Sequence, residues 1–192
     1  AGKRLVETGA DAALVKGGHM PGDAVLDVLV TPEAVETSTH PRVETDATHG
    51  SGCTLSSAVA TRLAHGESMT AAVDRSVAFM ERAVRYHHNS GTGPGAVHHL
   101  VELRNEAARG PTLEALESAV SRLQGADLGA LVPPDGTNIV AATPYAEGIE
   151  ETAAIDGGFD DTADGLDPNG CVRFDLPTDS ARRLLQARES RP

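Results

Sequence analysis

The chain has no tryptophan, only 3% aromatic residues, two lysines (Lys3 and Lys16) and two cysteines (Cys53 and Cys171) among 192 residues. Each scarcity excludes something. With so few aromatic rings, the core must be assembled from Leu, Val and Ala. Two cysteines cannot make the disulfide framework of a small secreted domain, and a reducing cytoplasm is the simplest home for them. No window approaches the ~20 consecutive apolar residues of a membrane-spanning helix, and no signal-peptide pattern opens the chain. Positive charge is also short: 28 acidic residues face 16 basic ones, a formal net charge of −12. That balance argues against binding to nucleic acid or to an anionic membrane surface. Acid-rich, lysine-poor composition with an Ala/Val/Asp bias is similar to that of cytoplasmic proteins of salt-accumulating halophiles.

What the chain does have is a glycine loop that opens into a helix. In Thr48-His49-Gly50-Ser51-Gly52-Cys53-Thr54-Leu55-Ser56-Ser57, two glycines flank a serine. Leu55, Ala58, Val59 and Leu63 then fall on one helical face. The first N–H groups of a helix lack intrahelical partners, and with the helix dipole they favour an anion, above all phosphate. Gly50, Ser51 and Gly52 are therefore candidate anion-hole residues. Cys53 stands at the positive end of the same helix, a setting in which thiols are activated. The same pattern also serves as a plain capped turn with a small buried cysteine. It is not a P-loop, because no Lys-Ser/Thr pair follows the last glycine.

Upstream, 1–9 predicts the end of a helix and 12–15 a short buried strand that runs into Lys16-Gly17-Gly18-His19. Ligands gather at the carboxyl ends of strands in open α/β sheets, which puts Lys16 where phosphate would be met. The apolar run 24–30 predicts a second strand and 43–45 a third. Ser68 is a candidate N-cap for a helix whose stripe runs from Met69 through Val73, Val77 and Met80 to Val84. The pairs His87-His88 and His98-His99 do not make a metal site, since adjacent side chains rarely converge on one ion.

Three segments carry a family resemblance: Leu14-Val15-Lys16-Gly17-Gly18-His19, the glycine loop through Ser56, and Gly91-Thr92-Gly93-Pro94-Gly95-Ala96-Val97-His98. In order and spacing they closely resemble the second half of the hydroxymethylpyrimidine/phosphomethylpyrimidine kinases of thiamine biosynthesis, members of the ribokinase-like superfamily. The resemblance implies a three-layer α/β fold and ATP with Mg2+. It also implies phosphoryl transfer to a pyrimidine alcohol and then to its monophosphate. It places Lys16 near the ATP phosphates and Cys53 where most ribokinase-like enzymes carry an aspartate base. An alcohol acceptor needs a base whereas an ionised phosphate does not, so a cysteine suits an enzyme that performs both steps. The amino-terminal segment that supplies much of the pyrimidine pocket in these kinases has no counterpart here. The resemblance therefore implies that these residues alone do not turn over.

Residues 104–111, with Gly110-Pro111, are expected to form a linker between a kinase half (1–103) and a second region (112–192). Thr112 is a candidate N-cap there for a helix bearing Leu113, Leu116, Val120 and Leu123. The stretch Leu131 to Pro144 with Gly136-Thr137-Asn138, and then Glu151 to Ile155 and Val172-Arg173-Phe174, resembles the archaeal thiamine-phosphate synthase domain. That domain occurs fused behind this kinase in halophilic archaea. The match is a partial α/β domain, and it departs from the family at two points. The family has Gly-Arg where this chain has Gly157-Gly158. It also has a Gly-Ala-Ser-Ser-His run where this chain has Asp175-Leu176-Pro177-Thr178-Asp179. The missing arginine and histidine are natural partners for a diphosphate leaving group. This implies a degenerate synthase-like domain that binds thiamine phosphate through Gly136, Thr137 and Asn138. Two other classes stay open: a cysteine-nucleophile enzyme pairing Cys53 with His49, and a non-catalytic regulatory binding module. An active synthase and a homo-oligomer are also compatible with the sequence.

If the acidic surface is an adaptation to salt, screening should relieve its self-repulsion, because the Debye length falls to about 3 Å at 1 M. The melting temperature is expected to rise steeply from low salt to molar KCl; a flat profile would refute the adaptation.

Overall fold

A computed structural model of the protein describes residues 1–89, 92–126 and 137–190. The chain forms two compact units, Ala1–Val101 and Glu102–Pro192.

The first unit contains α1 (Gly2–Glu7), β1 (Ala13–Val15), β2 (Ala24–Val30), β3 (Val35–Pro41), α2 (Ser51–Ala64) and α3 (Met69–Arg85). Its sheet has the order β1-β2-β3 with both pairings antiparallel; Val15 stands opposite Val28 and Val30 opposite Val35. Side chains alternate across β2. Val25, Asp27 and Leu29 are buried, and the first two line a cavity together with Leu55 of α2 and Val77 and Met80 of α3. On the other face Gly2 of α1 lies so close that a β-carbon there would meet Val30 Cγ2 at 2.7 Å and Val15 Cγ2 at 3.2 Å. α1 thus lies on one face of the sheet, and the α2–α3 pair stands across the cavity from the other, an α/β/α order of elements. α3 is capped by Ser68, whose Oγ accepts from Ala71 N–H at 3.3 Å, and it buries Ala72, Val73, Ser76, Val77, Met80 and Ala83.

The third strand is not at 43–45. It is β3, Val-Glu-Thr-Ser-Thr-His-Pro, an edge strand with no buried residue. Tight hydrogen bonding around Thr31 turns the chain into it: Thr31 N–H donates to Ala34 O, and Thr31 Oγ1 accepts from Glu33 and Ala34 N–H. Residues 43–45 are irregular and line the cavity instead.

The second unit contains α4 (Val101–Ala107), which opens at the boundary, and α5 (Arg109–Leu123). These are followed by β4 (Val140–Ala142), a 3-10 turn (Ile149–Glu151), β5 (Thr152–Ile155), β6 (Phe159–Thr162), β7 (Gly165–Pro168), β8 (Val172–Phe174) and α6 (Asp179–Glu189). β4, β5 and β8 form an antiparallel sheet centred on β5, and β6 and β7 form a separate hairpin. Val120 of α5, Ile155, Phe159 and Leu166 make the core, with Leu123, Ile139 and Val172 packed against it.

Residues 104–111, expected as a linker, are helical apart from the step at Ala108. Asn105 is buried there: its Oδ1 accepts from Tyr145 N–H at 2.9 Å and its amide donates to Glu151. Nor is Thr112 the N-cap. α5 starts three residues earlier because Pro111 sits in its first turn, where a missing N–H leaves no bond unmade. No helix among the described residues is long and apolar enough to cross a membrane.

Phe159 is 2% exposed at the centre of the second unit's core. Phe159→Ala is expected to lower that unit's unfolding free energy by ~3–5 kcal/mol. Urea titration checks it, and a loss below ~1 kcal/mol would place the core elsewhere.

Candidate active site

The site is built where β1 ends and α2 begins. Lys16 is the first residue after β1, and its exposed side chain crosses to the amino end of α2: a β-carbon on Gly52 would lie 3.2 Å from Lys16 Nζ. Gly50 caps α2 in the left-handed conformation at φ 80, which a glycine adopts without steric cost. Ser51 N–H donates to Thr48 O at 3.1 Å, and Thr54 N–H donates to Gly50 O at 2.9 Å. Among the described residues no intramolecular acceptor meets the Gly52 and Cys53 N–H groups. Two open amides, the positive end of a 14-residue helix and an ammonium group therefore converge on Gly52. Cys53 is exposed on the same turn. Of the expected anion hole, Ser51 N–H is committed to the loop; the Gly52 and Cys53 amides remain open.

Two loops brace this turn. Ala96 pairs with both His49 and His88, stitching the third glycine-rich segment to the loop before α2. Gly95 fits there because it has no side chain: a β-carbon would lie 2.7 Å from Ala47 Cβ and 2.9 Å from His88 O. Thr54 Oγ1 has one proton and donates it to Gly50 O at 2.8 Å. The same hydroxyl lies within hydrogen-bond distance of His99 Nε2, at 3.0 Å. His49 makes no hydrogen bond to Cys53 among the described residues, so no nucleophile–base pair is assembled there.

Beside the turn lies a cavity of about 360 Å³ between the sheet and α2–α3. Its walls include Val25, Val43, Leu55 and Val77 together with the polar Lys16, Thr45 and Ser51. Two lining residues escaped the sequence reading. Asp27 is 5% exposed, accepting from Gly17 N–H at 2.9 Å through Oδ1 and lying 3.4 Å from His40 Nε2 through Oδ2. The only signal was one carboxylate inside an apolar run. Arg42 donates to the carbonyls of Gly18, Met20 and Gly22 and so holds the whole loop after Lys16. No group of three metal-ligating His, Cys, Asp or Glu side chains occurs among the described residues.

In the second unit, Gly136 lies outside the described residues. The Asn138 side chain is bonded to β5 in both directions, donating to Ile155 O at 2.7 Å and accepting from Ile155 N–H at 3.1 Å. The Thr137 carbonyl accepts from Phe159 N–H at 2.9 Å. Gly157 and Gly158 both have positive φ, and a β-carbon on Gly158 would lie 2.5 Å from Thr137 O. Asp179 starts α6 and pairs with Arg182 at 2.8 Å, a favourable place for an acid.

Residues 1–98 match the model of the phosphomethylpyrimidine kinase family, and residues 115–192 that of thiamine-phosphate synthase ThiN. The chain is 37% identical over 101 residues to the thiamine biosynthesis bifunctional protein ThiED of Geobacter sulfurreducens, covering 53% of this chain and 21% of that protein. It is 35% identical over 106 residues to the hydroxymethylpyrimidine/phosphomethylpyrimidine kinase of Bacillus subtilis, covering 55% of this chain and 39% of the relative. The chain thus spans two fifths or less of these relatives' length. Among solved structures, an ADP complex of Bacillus subtilis pyridoxal kinase is similar at TM-score 0.51 and 27% identity, covering 53% of this chain and 40% of that one. Staphylococcus aureus pyridoxal kinase with AMP-PCP and pyridoxal gives TM-score 0.52 and 26% identity over 54% of this chain and 39% of that one.

Proposed function

The chain belongs to the phosphomethylpyrimidine kinase family through residues 1–98, in the ribokinase-like fold of its structural neighbours. From that membership we propose that the first unit carries the phosphate-handling half of an ATP-dependent kinase of thiamine biosynthesis. Its acceptors are hydroxymethylpyrimidine and its monophosphate. The observation that carries this reading is the placement of Lys16 Nζ over Gly52, beside the open Gly52 and Cys53 amides.

Phosphoryl transfer asks a protein for positioning and charge stabilisation more than for covalent work. In this reading the two amides and the helix dipole hold phosphoryl oxygens as charge shifts among them, and Lys16 adds a mobile positive charge. The cavity's apolar lining takes the flat base of the nucleotide, and Lys16 and Ser51 in its wall take the phosphates. ADP and AMP-PCP in the similar pyridoxal kinases support a nucleotide here. Mg2+ takes one or two carboxylates plus phosphate oxygens, and the Glu44 side of the cavity suits a cation that enters on the nucleotide. Cys53 is the base for the proton of the alcohol acceptor in the first step and is not needed for the ionised acceptor of the second.

For the second unit we propose a synthase-like module that binds thiamine phosphate without making it. Two observations favour this. The backbone at Gly158 closes onto the Thr137 carbonyl, which leaves no room for the family's arginine, and Asp179 is engaged as the first acid of α6. Asn138 acts there as scaffold, since its amide is committed to Ile155. The module would report pathway product to the kinase.

Two outcomes are expected. In a protein that spans the full length of the kinase relatives, Cys53→Ala slows phosphorylation of the alcohol by ~10²-fold or more, and of the monophosphate far less. Equal losses in the two half-reactions would leave Cys53 with a purely geometric role. The 192-residue chain given thiazole phosphate and pyrimidine diphosphate forms no thiamine phosphate, while calorimetry detects binding of the product. Synthesis above background would overturn the degenerate-module reading, and absence of any binding would remove its sensing role.

A further inference from the structure

Asp27 is the one acidic residue of β2, and at 5% exposure it is buried among Val25, Leu29 and the walls of the cavity. A carboxylate costs free energy to bury unless hydrogen bonds replace its water. Here one oxygen takes the Gly17 N–H at 2.9 Å, and the other faces His40 Nε2 at 3.4 Å. The first bond is made across a close backbone approach. A β-carbon on Gly17 would lie 2.2 Å from Leu26 O, so only glycine brings the loop this near to β2. Gly17 is the residue directly after Lys16. Fixing its amide fixes the peptide plane from which the Lys16 side chain departs toward Gly52, whose hypothetical β-carbon lies 3.2 Å from Nζ.

We propose that Asp27 is a positioning residue: by holding the Gly17 amide it sets the reach of the Lys16 ammonium over the amino end of α2. Arg42 secures the rest of that loop through the Gly18, Met20 and Gly22 carbonyls. The Gly17 carbonyl accepts from Met20 N–H at 2.8 Å within the loop, and the Asp27 carboxylate is what ties the Gly17 amide, and so the peptide plane at Lys16, to the sheet. The functional meaning of this geometry depends on the kinase reading; the geometry itself does not.

The scarcity of lysine supplies the test. With only Lys3 and Lys16 in the chain, trace acetylation of the 192-residue protein with acetic anhydride gives a Lys16:Lys3 labelling ratio by mass spectrometry. Asp27→Ala is expected to change that ratio about fivefold, the factor that follows from losing one net hydrogen bond. Asp27→Asn keeps a carbonyl acceptor for Gly17 and is expected to stay within about twofold of the wild type. If Asp27→Ala does not fold, Asp27→Val fills the strand position without an acceptor and gives the same readout. An unchanged ratio in a folded acceptor-less variant overturns the proposal. A second measurement separates positioning from general loosening. Affinity for AMP-PCP should fall with Asp27→Val in the wild-type background, and the further loss should vanish in Lys16→Met. Additive losses would show that Asp27 acts on the pocket independently of Lys16 and would overturn the proposal. Labelling is done without nucleotide. A wild-type chain that fails to bind AMP-PCP therefore counts against the kinase reading, while the acetylation ratio still decides the role of Asp27.

Discussion

A β-carbon at Gly17 would sit 2.2 Å from the Leu26 carbonyl oxygen, and one at Gly95 would sit 2.7 Å from Ala47 Cβ. These two close approaches are the constraint on which the site depends. The first lets the loop after β1 lie flat on β2, so that its amide can meet Asp27. The second lets the third glycine-rich segment lie against the loop before α2, so that Ala96 can pair with His49 and His88. Between them the amino end of α2 is held by backbone rather than by long side chains. Backbone hydrogen bonds place groups more rigidly than flexible side chains do, and a site that works by positioning needs that rigidity. The glycines of the motifs therefore do two different jobs: Gly50 shapes the turn into α2, where the Gly52 amide stays open, and Gly17 and Gly95 make the room behind it.

The same distinction explains what the sequence made legible. The glycine turn, Lys16, the strand over Ala24–Val30 and the stripe of α3 all announce themselves through local pattern, and the structure contains each of them. β3 did not, because an edge strand with polar residues on both faces has neither an apolar run nor an alternation. The start of α5 was hidden by Pro111, which looks like a terminator and in fact sits in a first turn that tolerates it. Asp27 and Arg42 were invisible for another reason. Their partners lie ten and about twenty residues away in sequence, so only the folded sheet brings them together. The glycine turn is a local pattern, whereas the Asp27 and Arg42 bonds to the loop after β1 exist only in the folded sheet.

In the second unit several polar groups are engaged by the fold itself. Asn138 belongs to a segment that resembles a ligand-binding motif, yet its amide copies a strand neighbour, giving and taking one hydrogen bond with Ile155. Gly158 and Asp179 each have a structural occupation: one closes against the Thr137 carbonyl, the other starts a helix. Satisfied polar groups of this kind stabilise a fold without leaving free donors for a substrate.

β3 has one more consequence. It presents Glu36, Thr37 and Thr39 as exposed residues along the border of the sheet, whereas β1 at the opposite border is short and largely shielded, with Ala13 buried. Polar, solvated borders discourage another chain from adding to them. A seven-residue border that could serve as a template for a neighbouring chain is thus kept solvated, and the β3 side of the sheet is blunted against aggregation.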